Sequence, residues 1–417
     1  MTTGQRLAYG MLGAPLAMAA LPVYIYAPKL YGDEFGLGLA LTGVILLGSR
    51  MVDTLQDPWL GRLADFMQRR PGGWPMLAAI AAACLGLAYG ALFNPPVHDN
   101  RLLPIWFAVA LILVYTAHSA LNITYLAWGA RASEDSDERT RIVAFREGFA
   151  LAGVVLASLL PMLFANWLDA EWRWLVYSFV FAGLLMLAVW VLLRYTPVPL
   201  PTHSSPQGLL QPLRNKPFRR LATLFLLNGL AVAIAGTLSL FYIADVLQLE
   251  PYSGVFLAIY FVSGACSLPL WLSLSRRLGK VLTWAIGTIA AVAGFFWAIQ
   301  LGAGDIVPYV IICLLSGAAL GADLALPAAI AADIIPQRDR GRSASYFGIW
   351  SLINKAVLAL AAGLGLPLLA GLGYQPGGEA GLTELAVFYA GIPCVIKLLS
   401  AALLIRWRSS LEINYAV

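Results

Sequence analysis

Apolar residues gather along this chain in long runs, broken by short polar joints rich in arginine. The runs fall at about 7–27, 38–64, 75–94, 103–130, 141–166, 174–195, 218–246, 253–275, 280–302, 305–335, 341–372 and 383–406. A bilayer core takes roughly 20 apolar residues per helix. Backbone amides surrounded by hydrocarbon must be satisfied within their own segment, so the runs predict helices. The expectation is an all-α polytopic membrane protein with twelve transmembrane helices. The first run, Leu7 to Tyr26, contains Pro15 and Pro22, has no small-residue cleavage site and is followed by further spans. It reads as a retained helix rather than a signal peptide.

Composition agrees. Of 417 residues, 60% are apolar and 12% charged, against roughly 25% charged in a soluble domain. The net charge of +5 would invite a nucleic-acid partner, but the charges are sorted by loop. The N-terminus, the even-numbered loops and the C-terminus, with adjoining helix ends, hold 21 of the 27 Lys and Arg residues. The odd-numbered loops hold Lys29, Arg101 and Arg173. Basic residues stay on the cytoplasmic side, so both termini are expected inside a cell (inner or plasma) membrane and no nucleic acid is implied. The longest polar connection, Pro197 to Pro217, has six prolines and His203. It divides the chain into an N-terminal bundle (1–196), a cytoplasmic linker (197–217) and a C-terminal bundle (218–417), with His203 solvated.

The two halves repeat. Thr42-Gly43-Val44 begins sixteen residues before Pro58, and Ser253-Gly254-Val255 sixteen before Pro269. Glu138-Arg139-Thr140-Arg141 matches Asp339-Arg340-Gly341-Arg342 at an offset of 201, and the same offset sets Asn122 opposite Asp323. Two six-helix halves around a linker resemble a major facilitator transporter, whose site is expected at the midplane between halves.

Charges at lipid depth need a reason, since each carries a penalty of at least roughly 2.5 kcal/mol. The second span holds Arg50, Asp53, Gln56 and Asp57. Asp53 and Asp57 are four apart and share a helix face with Gln56 beside them. Two carboxylates and an amide oxygen suit a proton or a hard monovalent cation such as Na+, and crowded carboxylates repel, which eases proton uptake. An ion pair with Arg50 is the structural alternative, though two acids against one base leave a surplus charge.

The run Arg50-Met-Val-Asp53-Thr-Leu-Gln-Asp57-Pro58-Trp-Leu-Gly61-Arg-Leu-Ala-Asp65 resembles the R-x-x-D-x-x-x-D-P-x-x-G-x-x-x-D signature of the glycoside–pentoside–hexuronide:cation symporters, the melibiose permease family. Asn122-Ile-Thr-Tyr125, Asp137-Glu138-Arg139-Thr140, Arg146 and Lys355 fit the same pattern over nearly the whole chain. The resemblance implies a cation site of Asp53, Gln56, Asp57 and Ser119, the last from span four. Gln56 and Ser119 stand where the sodium-coupled sugar permease has Asn and Thr, which keeps oxygen ligands but changes their reach. It also implies that Lys355 faces the cavity and can pair with the empty acidic site. At the positions of that permease's galactosyl-binding acids stand Ala17, beside Leu16, and Asn122, and a later aromatic is Leu126, so the galactoside site is not copied.

Arg146 is either a substrate contact or a partner of Glu147 or nearby acids. Asp323 is either a cavity residue or a structural partner of Lys355. His118 packs by a hydrogen bond or relays protons, and Lys397 is structural or snorkels. Gly61, Asp65, Arg69 and Arg70 resemble the general facilitator loop after span two, where Asp65 would bridge to a neighbouring helix and gate inward opening. Cys84, Cys266, Cys313 and Cys394 read as apolar filler. No phosphate-cradling loop appears, nor a zinc or nucleophile constellation, so neither an enzyme nor a cofactor is expected. The expected partners are a small solute, a coupling cation and the bilayer, with the chain a monomer. The leading expectation is symport of a sugar, glycoside or related amphipathic molecule by alternating access. Proton-coupled efflux, a lysolipid carrier and a non-transporting sensor or scaffold are the rivals.

Overall fold

The computed structural model describes residues 1–412 other than 38, 98, 100, 166–168, 202–207, 209, 375, 376 and 379. His203 lies outside the described residues. In chain order the helices are α1 (Thr3–Gly10), α2 (Gly13–Lys29), α3 (Leu39–Gln68), α4 (Gly73–Phe93), α5 (Leu102–Arg131), α6 (Ser136–Ala165), α7 (Ala170–Tyr195), α8 (Lys216–Phe241), α9 (Ser253–Leu278), α10 (Lys280–Phe295), α11 (Ile306–Asp333), α12 (Ser343–Gly371), α13 (Leu382–Ala386) and α14 (Ile392–Leu411). No strand occurs among the described residues.

Ten stretches among the described residues are helical, long and apolar enough to cross a membrane. The other two expected spans are helical as well. The first is split into α1 and α2 around Met11 and Leu12. The second, α3, carries Arg50, Asp53, Asp57, Arg62 and Asp65, which lower its hydropathy. The last span is built from α13, a π-type turn at Val387–Gly391 and α14.

Two compact units divide the chain. One comprises Met1–Pro212 with Ile335–Leu352, the other Leu213–Ile334 with Ile353–Val417. The boundary at Pro212 falls inside the expected linker. The start of α12, expected in the C-terminal bundle, instead packs with the first unit.

Within the first unit, α2 packs on α6, and α5 on both α3 and α4. A side chain at Gly153 would meet the Ala14 backbone. Small residues let helices approach where no hydrophobic drive toward lipid-like neighbours exists. Tyr9 donates to the Tyr125 carbonyl at 2.8 Å, and Tyr125 donates to the Tyr9 carbonyl at 2.6 Å, locking α1 to α5. Glu138 accepts from Arg6 Nε at 2.7 Å and ties α1 to α6. The second unit centres on α9, α10 and α11, with a cluster of Tyr242, Phe256, Tyr309 and Tyr389 at one end. Outward-facing side chains are apolar in both units: Leu87 in the first is 77% and Val307 in the second 69% exposed. In water such faces would aggregate; hydrocarbon covers them.

Candidate functional site

The acid pair of α3 sits in the first unit against α5. Asp57 is fully buried and Asp53 nearly so. The i, i+3 spacing of Thr116 and Ser119 puts both hydroxyls on one face of α5. Ser119 donates to Asp53 Oδ1 at 3.1 Å. Gln56 Nε2 approaches the same oxygen at 3.5 Å, and Thr116 donates to Gln56 Oε1 at 2.8 Å. A chain of donors therefore runs from Thr116 through Gln56 to Asp53. Pro58 follows Asp57 and has no N–H to offer the Thr54 carbonyl. Arg50 lays its guanidinium 5.7 Å from the centre of the Tyr115 ring, a cation–π distance.

Asn122 is half-buried one turn beyond Ser119 on α5. Arg146 pairs with Glu147 through two bonds, one from Nε at 3.0 Å. That is the structural alternative for Arg146. His118 Nε2 lies 3.1 Å from the Leu16 carbonyl oxygen, which only accepts, so this nitrogen carries the proton and links α5 to α2. Lys355 is half-buried on α12.

At the end of α3, Asp65 is buried and accepts the backbone N–H groups of Ala344 and Ser345, each at 2.9 Å. It also takes the Ser345 hydroxyl. These are the orphan donors of the first turn of α12, and a carboxylate there also meets the positive end of the helix dipole. Two glycines allow the approach. A Cβ at Gly61 would sit 2.5 Å from the Ala344 oxygen, and one at Gly348 2.6 Å from the Asp57 oxygen. Arg69 and Arg70 place their guanidinium groups 5.8 and 5.7 Å from the Phe66 ring. Asp339 pairs with Arg342 at 3.3 Å and Glu138 with Arg141 at 3.7 Å, so the two matched motifs make the same i, i+3 ion pair.

In the second unit the structure corrects the partner expected for Asp323. The base is Lys397, whose Nζ lies 2.8 Å from Asp323 Oδ2 and 2.8 Å from Asn228 Oδ1. Asp323 Oδ1 accepts from Asn228 at 2.9 Å and from the Trp284 indole at 2.8 Å. Lys397 is buried rather than snorkelling. Thr116, Asn228, Trp284, Ser345 and Gly348 carry these arrangements and were not singled out from the sequence. Only the spacing of Thr116 to Ser119 gave a signal. No cluster of three or more His, Cys, Asp or Glu side chains that could hold a metal occurs among the described residues.

A family model described as MFS/sugar transport protein matches residues 7–409. The chain is 25% identical to the inner membrane symporter YicJ of Escherichia coli (strain K12), over 71% of this chain and 67% of that protein. It is 25% identical to the putative glycoside/cation symporter YagG of the same organism, over 38% of this chain and 34% of that one. Among solved structures it resembles a bacterial homologue of the iron transporter ferroportin in its outward-facing state, with a TM-score of 0.76 at 17% identity, covering 98% of this chain and 100% of the other.

Proposed function

This chain belongs to the MFS/sugar transport protein family, and from that premise we propose that it is a proton-coupled symporter of a sugar, a glycoside or a related amphipathic solute. It is a multi-pass membrane transporter, a class without enzymatic chemistry. Relatives named as symporters, one of them of glycosides and cations, support the coupling and the solute class.

The observation that carries the choice of ion is the pair of donors at Asp53 Oδ1. Ser119 and Gln56 both present hydrogens to its Oδ1, while the Gln56 oxygen is engaged by Thr116. A sodium ion needs oxygens, so the Gln56 amide would have to turn over, its nitrogen then donating to the Thr116 hydroxyl. A proton needs no rearrangement: it binds a carboxylate oxygen directly. Protonation removes charge from the α3 pair, and solute and proton then strengthen each other's binding by equal factors. The Asp65 latch on the first turn of α12, with Gly61 allowing the contact and Arg69 and Arg70 beside it, holds one end of the transport cycle. Asn122 and Lys355 are the candidate solute contacts. Both termini lie in the cytoplasm of a cell whose inner membrane holds the chain as a monomer.

Proteoliposomes containing the purified protein test this. Methyl and nitrophenyl glucosides and glucuronides are offered with an inward proton gradient, an inward sodium gradient or neither. Uptake of at least one solute driven by the proton gradient, and lost in Asp53→Asn and Asp57→Asn, is expected. Uptake driven only by sodium refutes the choice of ion. Gradient-driven uptake that survives both substitutions refutes the site.

A further inference from the structure

The second unit holds a partly open cavity of about 380 Å³ that the acid pair of α3 does not explain. Every described residue lining it belongs to that unit. Its walls are carried by Phe256, Tyr260, Phe295, Tyr309, Ile312 and Tyr389. Two of its edges are π-type turns, Tyr242–Val246 contributing Ile243 and Val387–Gly391 contributing Tyr389. Such turns recur at functional sites because they interrupt the regular register of a helix. Tyr389 is held in place by stacking on Tyr242 at 4.2 Å and by a 2.8 Å hydrogen bond between the Tyr309 and Tyr389 hydroxyls. Two of its aromatic walls, Tyr309 and Tyr389, are therefore braced against each other.

Its polar wall is the Asp323–Lys397 pair, and both residues line the cavity. Size, apolar walls and a few convergent polar groups match small-molecule sites, which run to roughly 300–1,000 Å³. Charge narrows the class. One carboxylate faces one ammonium at 2.8 Å, and Asn228 and Trp284 satisfy the rest of the carboxylate. An added anion or cation would have no counter-charge among the described lining residues, in a setting where unpaired charge is strongly disfavoured. An ammonium carries three donors. Two of them go to Asp323 and Asn228, which leaves one for a ligand.

We propose that this cavity is a binding site for an uncharged, mostly aromatic or aliphatic small molecule carrying one hydrogen-bond acceptor, which it presents to Lys397. The site is independent of the acid pair of α3 and of the identity of the coupling ion.

Benzophenone is a suitable probe: it is uncharged, has two aryl rings and one carbonyl, and inserts on illumination into bonds near that carbonyl. In nanodiscs it is expected to label the protein saturably, on peptides spanning Tyr309–Leu320 and Tyr389–Lys397. Its anionic counterpart 4-benzoylbenzoate should label these peptides at least ten-fold less. Diphenylmethane, which lacks the acceptor, should fail to compete at equal concentration. A Cβ added at Gly236, which lines the cavity, meets nothing within 4 Å. Gly236→Leu should therefore abolish the labelling with the melting temperature unchanged, and Ala235→Phe serves as a second filling variant. Asp53→Asn/Asp57→Asn should label as the wild type does, so a failed symport reading leaves this result untouched. The proposal is overturned by label that does not saturate and spreads over outward residues such as Leu87, which is bilayer partition only. It is also overturned by equal labelling with the carboxylate, or by full labelling in both filling variants.

Discussion

Replacing Lys397 by methionine leaves the Asp323 carboxylate inside the second unit with two neutral donors and no counter-charge. Four hydrogen bonds of 2.8–2.9 Å join Asp323, Lys397, Asn228 and Trp284. Two of them end on Lys397. Breaking a buried pair by removing one partner is destabilising by about 3–5 kcal/mol. Removing both charges is much milder, since a buried ion pair is close to neutral against a well-packed apolar replacement. At position 323 an asparagine oxygen can still accept from Trp284, and its amide can donate to the Asn228 oxygen that loses Lys397. Lys397→Met alone is therefore expected to lower stability by about 3–5 kcal/mol, and Lys397→Met/Asp323→Asn to recover most of that. The assay is thermal unfolding in detergent followed by exposure of Cys313 and Cys394, both buried thiols. Were the double variant no more stable than Lys397→Met, or the single loss below about 1 kcal/mol as for an exposed pair, the compensated-pair reasoning would fail.

Asp65→Ala removes the acceptor of two backbone N–H groups and a hydroxyl, each worth about 1–3 kcal/mol when stranded. It should raise the reactivity of a cysteine placed at Ala344 toward an impermeant thiol reagent added from the cytoplasmic side. Gly348→Val forces a side chain onto the Asp57 carbonyl, so a loss of about 1–3 kcal/mol and reduced transport are expected by melting and uptake assays. Ser119→Ala withdraws one donor from Asp53, so proton-driven uptake should fall about ten-fold while the protein melts as the wild type does, and unchanged uptake would show that this contact plays no part in coupling.

The span pattern was readable because hydrocarbon imposes it on every segment. Where it blurred, local chemistry was the cause: α3 loses hydropathy to its own charges, and the first span breaks into α1 and α2. The α3–α5 arrangement was readable in part, since Asp53 and Asp57 share a face by spacing alone, while Ser119 came from family resemblance. Thr116 was missed because a threonine in an apolar run gives no sign of its partner. Lys397 shows the limit more sharply. A buried lysine demands an acid, but the sequence offers no measure of which one. Asp323 is 74 residues away, and Lys355 was nearer in the chain. The join of Ile335–Leu352 to the first unit escaped for the same reason. It depends on Gly61 and Gly348 meeting backbone across nearly 300 residues, a contact no local pattern encodes.

The repeat itself separates coupling from scaffolding. Asn122 and Asp323 occupy matched places in the two halves, yet the second half keeps its acid and supplies its own base, amide and indole. A carboxylate neutralised by a lysine and hydrogen-bonded by an amide and an indole has no need of an ion from outside. On α3 the acids outnumber the bases of their helix segment. On the proposed reading, ion coupling therefore belongs to the first unit. Lys397→Met/Asp323→Asn should consequently keep the wild-type dependence of uptake on pH, even where its maximal rate falls. Asp53→Asn should flatten that dependence. A pH profile displaced by the second-unit double variant and untouched by Asp53→Asn would reverse the assignment and move the coupling site to α11.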